Sequence, residues 1–345
     1  MYTEMGIANT LVFCGVISAI LCAMALVISE ESSWKGQIQL LVLMAGVMQF
    51  YIPWFTSQAM VFMGKHPMRE QYIDLNQSTA QDSFGVKMSR PLAFEVGCWG
   101  LAVMTQHLVG GLLCIPSRFS VSWLSKKRAA MLARLGGLTE AGWELQDLSS
   151  RFYAFNFGGK EGRDKNPVAG LIFLGLHHAL GLGMVIPMNV LYGDSQAYHE
   201  MIFNMQFCSM ISNLVQQYGY TLDTETSSGL WKKKLCSLCT WMGICYSRAF
   251  RFIPLALAML TTVRNDGRTC FFFCSCAALG AMGVINALYL FDSTKKVLKF
   301  VPRKHLLQSR LELEQKGNIK APSSLEEYVV VKSAPSPASL RHRKT

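Results

Sequence analysis

The sequence has few charged residues for its length. Asp, Glu, Lys and Arg together make up 16% of the 345 residues, hydrophobic residues make up 51%, and the mean hydropathy is +0.24. Soluble domains usually contain about 25% charged residues. The composition therefore excludes a single soluble core and predicts a polytopic membrane protein.

Acidic residues are scarce at the carboxyl end, where basic residues collect. Residues 293–345 contain twelve Lys or Arg and four Glu, so they carry +8 of the formal net charge of +11. Because the excess lies mostly in a tail, we predict no nucleic-acid partner. The cluster Lys295, Lys296, Lys299, Arg303 and Lys304 is instead predicted to contact anionic lipid headgroups in the cytosol.

A second cysteine pair is missing near Cys236 and Cys239, which alone form a CxxC pattern. Zinc ribbons and related sites need two such pairs. Most other cysteines lie in apolar runs, where they behave as small hydrophobic side chains. We therefore predict no metal and no cofactor.

Long stretches without charge predict the membrane spans, since about 20 apolar residues cross a bilayer as a helix. We predict an all-α, polytopic transmembrane bundle of about eight helices. The predicted helices are Gly6–Ile28, Gln37–Met63, Pro91–Ile115, Leu138–Phe157, Val168–Tyr192, Tyr198–Tyr220, Leu235–Val263 and Thr269–Phe291. Of these, Leu138–Phe157 either spans with its charged face inward or lies at the membrane surface.

The pattern divides the chain into four parts. These are two N-terminal helices (1–63), a polar connection (64–87), a membrane domain (88–297) and a basic tail (298–345) that is disordered beyond Ala321. Counting Lys and Arg near helix ends favours a cytosolic tail. The oligomeric state remains open.

Two adjacent histidines, His177 and His178, stand in the middle of the charge-free run Val168–Tyr192. A neutral imidazole can transfer a proton without carrying a permanent charge, which suits acid/base chemistry in a medium of low dielectric. The alternative is a pair of hydrogen bonds between helices. Adjacent helical residues point about 100° apart, so we expect that both rings cannot ligate one small ion from one side.

Further polar residues lie within apolar helices and predict a shared internal site. His107 interrupts the third helix, Asn213 and Gln216 continue a polar stripe, and Arg248 lies mid-helix. An arginine there costs about 2.5–3.5 kcal/mol to insert. We therefore expect these four residues to line a lipid-binding cavity, or else to join helices.

Residues 88–297 resemble the TLC domain, the six-helix membrane domain of ceramide synthases, TRAM-type translocon proteins and smaller lipid-regulating proteins. The resemblance rests on MTQHLVGGLLC around His107, on FYAFNFGGKEGRDKNPVAGLIFLGLHHALGL, on Asn213, and on Arg248 in SRAFRFIP. It implies that the last six helices form one domain, that Leu138–Phe157 spans, and that the protein resides in the endoplasmic reticulum.

The resemblance also bears on function. In ceramide synthases an His-Asp pair and a second Asp follow the double histidine, whereas residues 204–208 here read NMQFC. The chain is thus similar to the non-synthase branch. We predict a protein that binds or handles a membrane lipid or fatty-acyl ligand, in lipid homeostasis or trafficking. The alternative is an acyltransferase-type enzyme with His177 and His178 as catalytic residues.

A third class is a haem-bearing electron-transfer bundle, since His107, His178 and His199 lie on separate helices. Two haems with paired histidines would need four ligands, and the sequence offers at most three.

Overall fold

A computed structural model describes residues 33–84 and 87–303. Every regular element within these residues is helical, and they contain no strand. The predicted helix Gly6–Ile28 and the tail beyond Arg303 lie outside the described residues. The all-α prediction is confirmed for the rest.

The helices are numbered here in chain order. They are α1 (Trp34–Gly64), α2 (Arg69–Phe84), α3 (Arg90–Leu113), α4 (Ile115–Arg118), α5 (Lys126–Phe157), α6 (Gly159–Lys165), α7 (Val168–Tyr192), α8 (Gln196–Phe203), α9 (Ser209–Tyr220), α10 (Ser227–Cys245), α11 (Phe252–Asn265) and α12 (Thr269–Phe300). Two π-helical segments, Asn204–Cys208 and Tyr246–Arg251, join α8 to α9 and α10 to α11.

Five helical stretches are long and apolar enough to cross a membrane, as expected of an integral membrane protein. They are Trp34–Gly64, Arg90–Leu113, Gly170–Tyr192, Ser227–Asn265 and Thr269–Phe300. Eight membrane helices were predicted. Helix α5 and the α8–α9 stretch correspond to two of them and are helical, but they are too polar to be counted with these five. The remaining predicted helix is the N-terminal one.

Helix α5 lies in the middle of the bundle, where it contacts α1, α3, α7 and α8. Its charged face points inward: Glu144 is 2% exposed and Asp147 is 4% exposed, while Phe152 on the opposite side is 64% exposed. Such a distribution is the reverse of a soluble amphipathic helix. Of the two alternatives for Leu138–Phe157, the structure agrees with a helix inside the bundle and not with one at its surface.

The start of α5 lies twelve residues before the predicted one. The side chain of Ser125 accepts a hydrogen bond from the Arg128 amide at 3.4 Å and caps the helix, which begins at Lys126. The basic cluster at residues 126–128 therefore forms its first turn, and small residues such as Ala129 and Ala133 are buried after it.

The polar connection contains a helix that its composition did not reveal. Helix α2 buries Tyr72 and Ile73 against Ala93 and Cys98 of α3. At its outer face Arg90 is paired with Glu70 and Asp74. The hydrogen bond from Arg90 lowers the pKa of the Glu70 carboxyl.

Helix α12 runs on to Phe300, so the first lysines of the predicted basic tail are helical. The ammonium of Lys296 donates a hydrogen bond to Asp292 Oδ2 at 2.5 Å, and both side chains line an internal cavity. Lys296 is therefore turned into the bundle, whereas we had expected it to face lipid headgroups.

We expect Gly142 to set the spacing between α5 and α1. A Cβ atom at this position would lie 2.4 Å from the Met44 Cβ, whereas one at Gly46 of α1 would meet nothing within 4 Å. Overpacking costs about 1–3 kcal/mol or more. Gly142→Leu should therefore lower the thermal unfolding temperature in detergent, and Gly46→Leu should leave it unchanged or raise it. Equal unfolding temperatures would contradict this packing.

Candidate functional site

A cavity of about 530 Å³ lies inside the helix bundle. Eight methionines line it, among them Met104, Met184 and Met282. Methionine side chains are flexible and polarisable, so they adapt to irregular apolar ligands. The volume falls within the range of about 300–1,000 Å³ that is typical of small-molecule sites.

Five of the six predicted site residues line this cavity: His107, His177, Asn213, Gln216 and Arg248. The sixth, His178, is 0% exposed and lies behind the wall. The residues come from helices α3, α7 and α9 and from the second π-helical segment. The structure thus brings together side chains that are up to 141 positions apart in the sequence.

Arg248 is 5% exposed and meets only neutral partners. Its Nε donates to Ser209 Oγ at 2.9 Å, its Nη1 donates to Asn286 Oδ1 at 3.2 Å, and its guanidinium lies 4.7 Å from the centre of the Tyr289 ring. Within the described part of the chain, no carboxylate oxygen lies within 4.0 Å of it. The cavity wall therefore carries a buried positive charge without an anionic partner.

A π-helical segment places Arg248 there. Such segments insert one extra residue into a helix, which rotates the following side chains, and they are frequent at functional sites. The other π-helical segment, Asn204–Cys208, brings Gln206 to the same cavity and is followed directly by Ser209. The two segments face each other across the Arg248–Ser209 hydrogen bond.

His178 is held by a carboxylate of the preceding long helix. Its Nε2 lies 2.9 Å from Asp147 Oδ2, and the Nε of Arg151 donates to both oxygens of Asp147, at 2.7 and 2.9 Å. The Arg151 guanidinium also lies 4.9 Å from the centre of the Trp99 ring. This chain of contacts joins α3, α5 and α7.

His107 forms a similar pair with Glu140. Its Nε2 lies 2.8 Å from Glu140 Oε1, and its Nδ1 donates to the Val103 carbonyl at 2.7 Å. Trp143 separates the two histidine–carboxylate pairs, with its ring 5.0 Å from His107 and 4.9 Å from His178. Neither ring nitrogen of His107 is free to bind another group.

Two amide side chains of the cavity wall, Asn213 and Gln216, are weakly bonded. Asn213 has only the Met210 sulfur as a partner, at 3.9 Å, and both amide atoms of Gln216 lack a hydrogen-bond partner among the described residues. Buried polar atoms in native proteins are usually paired. These two side chains therefore have hydrogen-bonding capacity that other protein groups leave unused beside the cavity.

Sequence reasoning missed the three carboxylates of α5 as site residues. Glu140, Glu144 and Asp147 follow one another at steps of four and three, so they lie on one face of the helix. Glu200, another buried carboxylate, is not part of this face and pairs with Arg251 and with Arg118. The spacing can be read from the sequence, but the sequence does not show which helix this face contacts.

The adjacent histidines also differ from the expected geometry. One donor atom from each of Glu144, His177 and His178 lies within 4.8 Å of the other two, although we expected that adjacent rings cannot face one ion. The ring centres of His177 and His178 are 5.4 Å apart, with planes tilted by 40°. Side-chain rotation offsets the 100° between the two Cβ directions. The predicted absence of a metal stays a prediction.

The fold and the site are those of a helical integral membrane protein with an internal cavity that is lined by apolar side chains and by several polar ones. No protein-family model, no curated protein and no solved structure matches the chain.

Proposed function

We propose that the protein binds a membrane lipid or fatty-acyl ligand inside its cavity and acts in lipid homeostasis or trafficking, as a member of the non-synthase branch of the TLC-domain proteins. The observation that carries the proposal is the combination of a methionine-rich cavity with a buried Arg248. An acyl chain matches the apolar lining. An anionic or strongly polar headgroup matches the guanidinium.

Lipid analysis tests this proposal with a matched pair of variants. Charge-assisted hydrogen bonds contribute about 1.5–3 kcal/mol, which corresponds to about a 10- to 100-fold change in affinity. Arg248→Met should therefore lower the lipid retained through exchange into excess detergent by about tenfold or more. Arg251→Met is the control, because Arg251 lies in the same π-helical segment but pairs with Glu200 and does not line the cavity.

Mass spectrometry of the purified proteins measures the identity and amount of the retained lipid. Retention of the same lipid by wild type and Arg248→Met, or of no lipid by wild type, would count against the proposal.

We further propose that the protein resides in the endoplasmic reticulum with its carboxyl-terminal tail in the cytosol. The proposal follows from the TLC resemblance and from the excess of Lys and Arg on the tail side of the predicted helices. A tag at the carboxyl end should be stained in cells whose plasma membrane alone is permeabilised, together with a marker of the endoplasmic reticulum. Staining of the tag only after all membranes are permeabilised would show that the tail lies in the lumen, and it would contradict the proposed orientation.

The alternative function is an enzyme of acyltransferase type, and the histidine–carboxylate pairs favour it. His177 lines the cavity whereas His178 does not, so His177 is the candidate general base of the pair. The haem alternative is not supported, because both ring nitrogens of His107 and of His199 are already bonded.

An acyl-transfer assay separates the enzyme from the binding protein. Purified protein incubated with acyl-CoA and a membrane lipid extract should release free CoA thiol only if it is an enzyme. In that case His177→Ala should lower the rate by at least about 100-fold, the usual contribution of a general base. Thiol release that is equal in His177→Ala and wild type would exclude this role for His177.

A further inference from the structure

Three potential metal ligands converge beside the cavity. Glu144 comes from α5, and His177 and His178 come from α7. One donor atom from each lies within 4.8 Å of the others, and the His178 Nδ1 is 4.0 Å from Glu144 Oε1. The cluster combines two imidazoles with one carboxylate.

Each of the three residues has a polar atom without a hydrogen-bond partner. In the part of the chain that the structure describes, His177 Nδ1, His178 Nδ1 and Glu144 Oε2 are buried and accept or donate no hydrogen bond. Glu144 is 2% exposed and His178 is 0% exposed. A buried carboxylate without a compensating partner is expensive, and a cation bound by these three side chains would supply that partner.

Asp147 fixes which nitrogen of His178 faces the cluster. Because Arg151 donates twice to Asp147, the Asp147 carboxylate is an acceptor, and the Nε2 of His178 donates to it at 2.9 Å. The Nδ1 of a neutral ring then carries its lone pair toward Glu144. Histidines that bind metals commonly donate their second nitrogen to a carboxylate in this way.

A glycine makes room for the Glu144 carboxylate. A Cβ atom at Gly181 would lie 1.9 Å from Glu144 Oε2, whereas one at Gly183 would meet nothing within 4 Å. The carboxylate therefore occupies a space that only glycine leaves open on α7.

We propose that Glu144, His177 and His178 bind one divalent transition-metal ion, with zinc as the first candidate, and that Asp147 is a positioning residue. Two histidines and one glutamate form a known zinc ligand set that leaves one coordination position open. Hard cations such as Mg²⁺ and Ca²⁺ prefer oxygen ligands. Glu144 and His177 line the cavity, so the proposed ion would lie at its wall.

Binding requires a small closure of the site. Tetrahedral zinc bonds of about 2.0–2.2 Å hold their donor atoms about 3.4 Å apart. The donors here are separated by up to 4.8 Å, so they must approach one another by about 0.5 Å to more than 1 Å. This inference does not depend on the lipid proposed above, because the ligand set is complete without it.

The experiment uses the full chain, purified in detergent with its affinity tag removed and equilibrated with Zn²⁺ in the presence of excess Mg²⁺. Elemental analysis after gel filtration should find one zinc per wild-type chain. Glu144→Gln and His177→Ala should lose it. Gly181→Ala should also lose it, because its Cβ displaces the carboxylate, whereas Gly183→Ala should bind as wild type does.

Cobalt binding gives a second measurement, and its wild-type part does not depend on any variant. Co²⁺ bound to wild type should show the visible absorption of a four-coordinate site with nitrogen and oxygen ligands. Asp147→Asn should weaken metal binding by about 10- to 100-fold and shift that spectrum, which a loss of stability alone would not do. Wild-type protein without stoichiometric zinc, or Gly181→Ala that binds zinc as tightly as Gly183→Ala, would overturn the proposal.

Discussion

The structure depends on the way in which charged groups inside the bundle satisfy one another. Asp147 of α5 contacts His178 of α7 and Arg151 of its own helix, and Arg151 in turn lies over Trp99 of α3. In a hydrocarbon medium an unpaired charge is far more costly than in water. Three helices are therefore joined at one point, and the charged face of α5 is kept away from lipid.

The polar groups at the centre of the bundle differ in how completely they are hydrogen-bonded. The helices present apolar side chains outward, such as Phe152 and Phe250, and they gather polar ones at the centre. Several of the central groups are paired. Among the described residues, atoms of Gln216, of the cluster around His177 and of other buried polar side chains have no hydrogen-bond partner, and Arg248 has no anionic one. A buried polar group that lacks a partner points to a ligand more strongly than volume alone does.

The long charge-free runs predicted the spans well, because hydrophobic length is a local property. Helix α7 has the predicted bounds, and α1 differs from its prediction by three residues at the start and one at the end. Helix α2 and the early start of α5 were missed, since polar composition hides a helix whose few apolar residues are buried by its neighbours. Five of the six predicted site residues line one cavity. Their carboxylate partners could not be predicted, because those pairs depend on which helices are in contact.

The central claim, which rests on the proposed function, is that polar groups of separate helices line one internal cavity in which a lipid binds. A cryo-electron microscopy map of the full chain in a lipid nanodisc tests it most directly. The account predicts elongated density in the cavity, with its polar end beside Arg248 and with the carboxylates of α5 turned inward. A map in which Arg248 and Asp147 face the surrounding lipid, with no chamber between the helices, would contradict it.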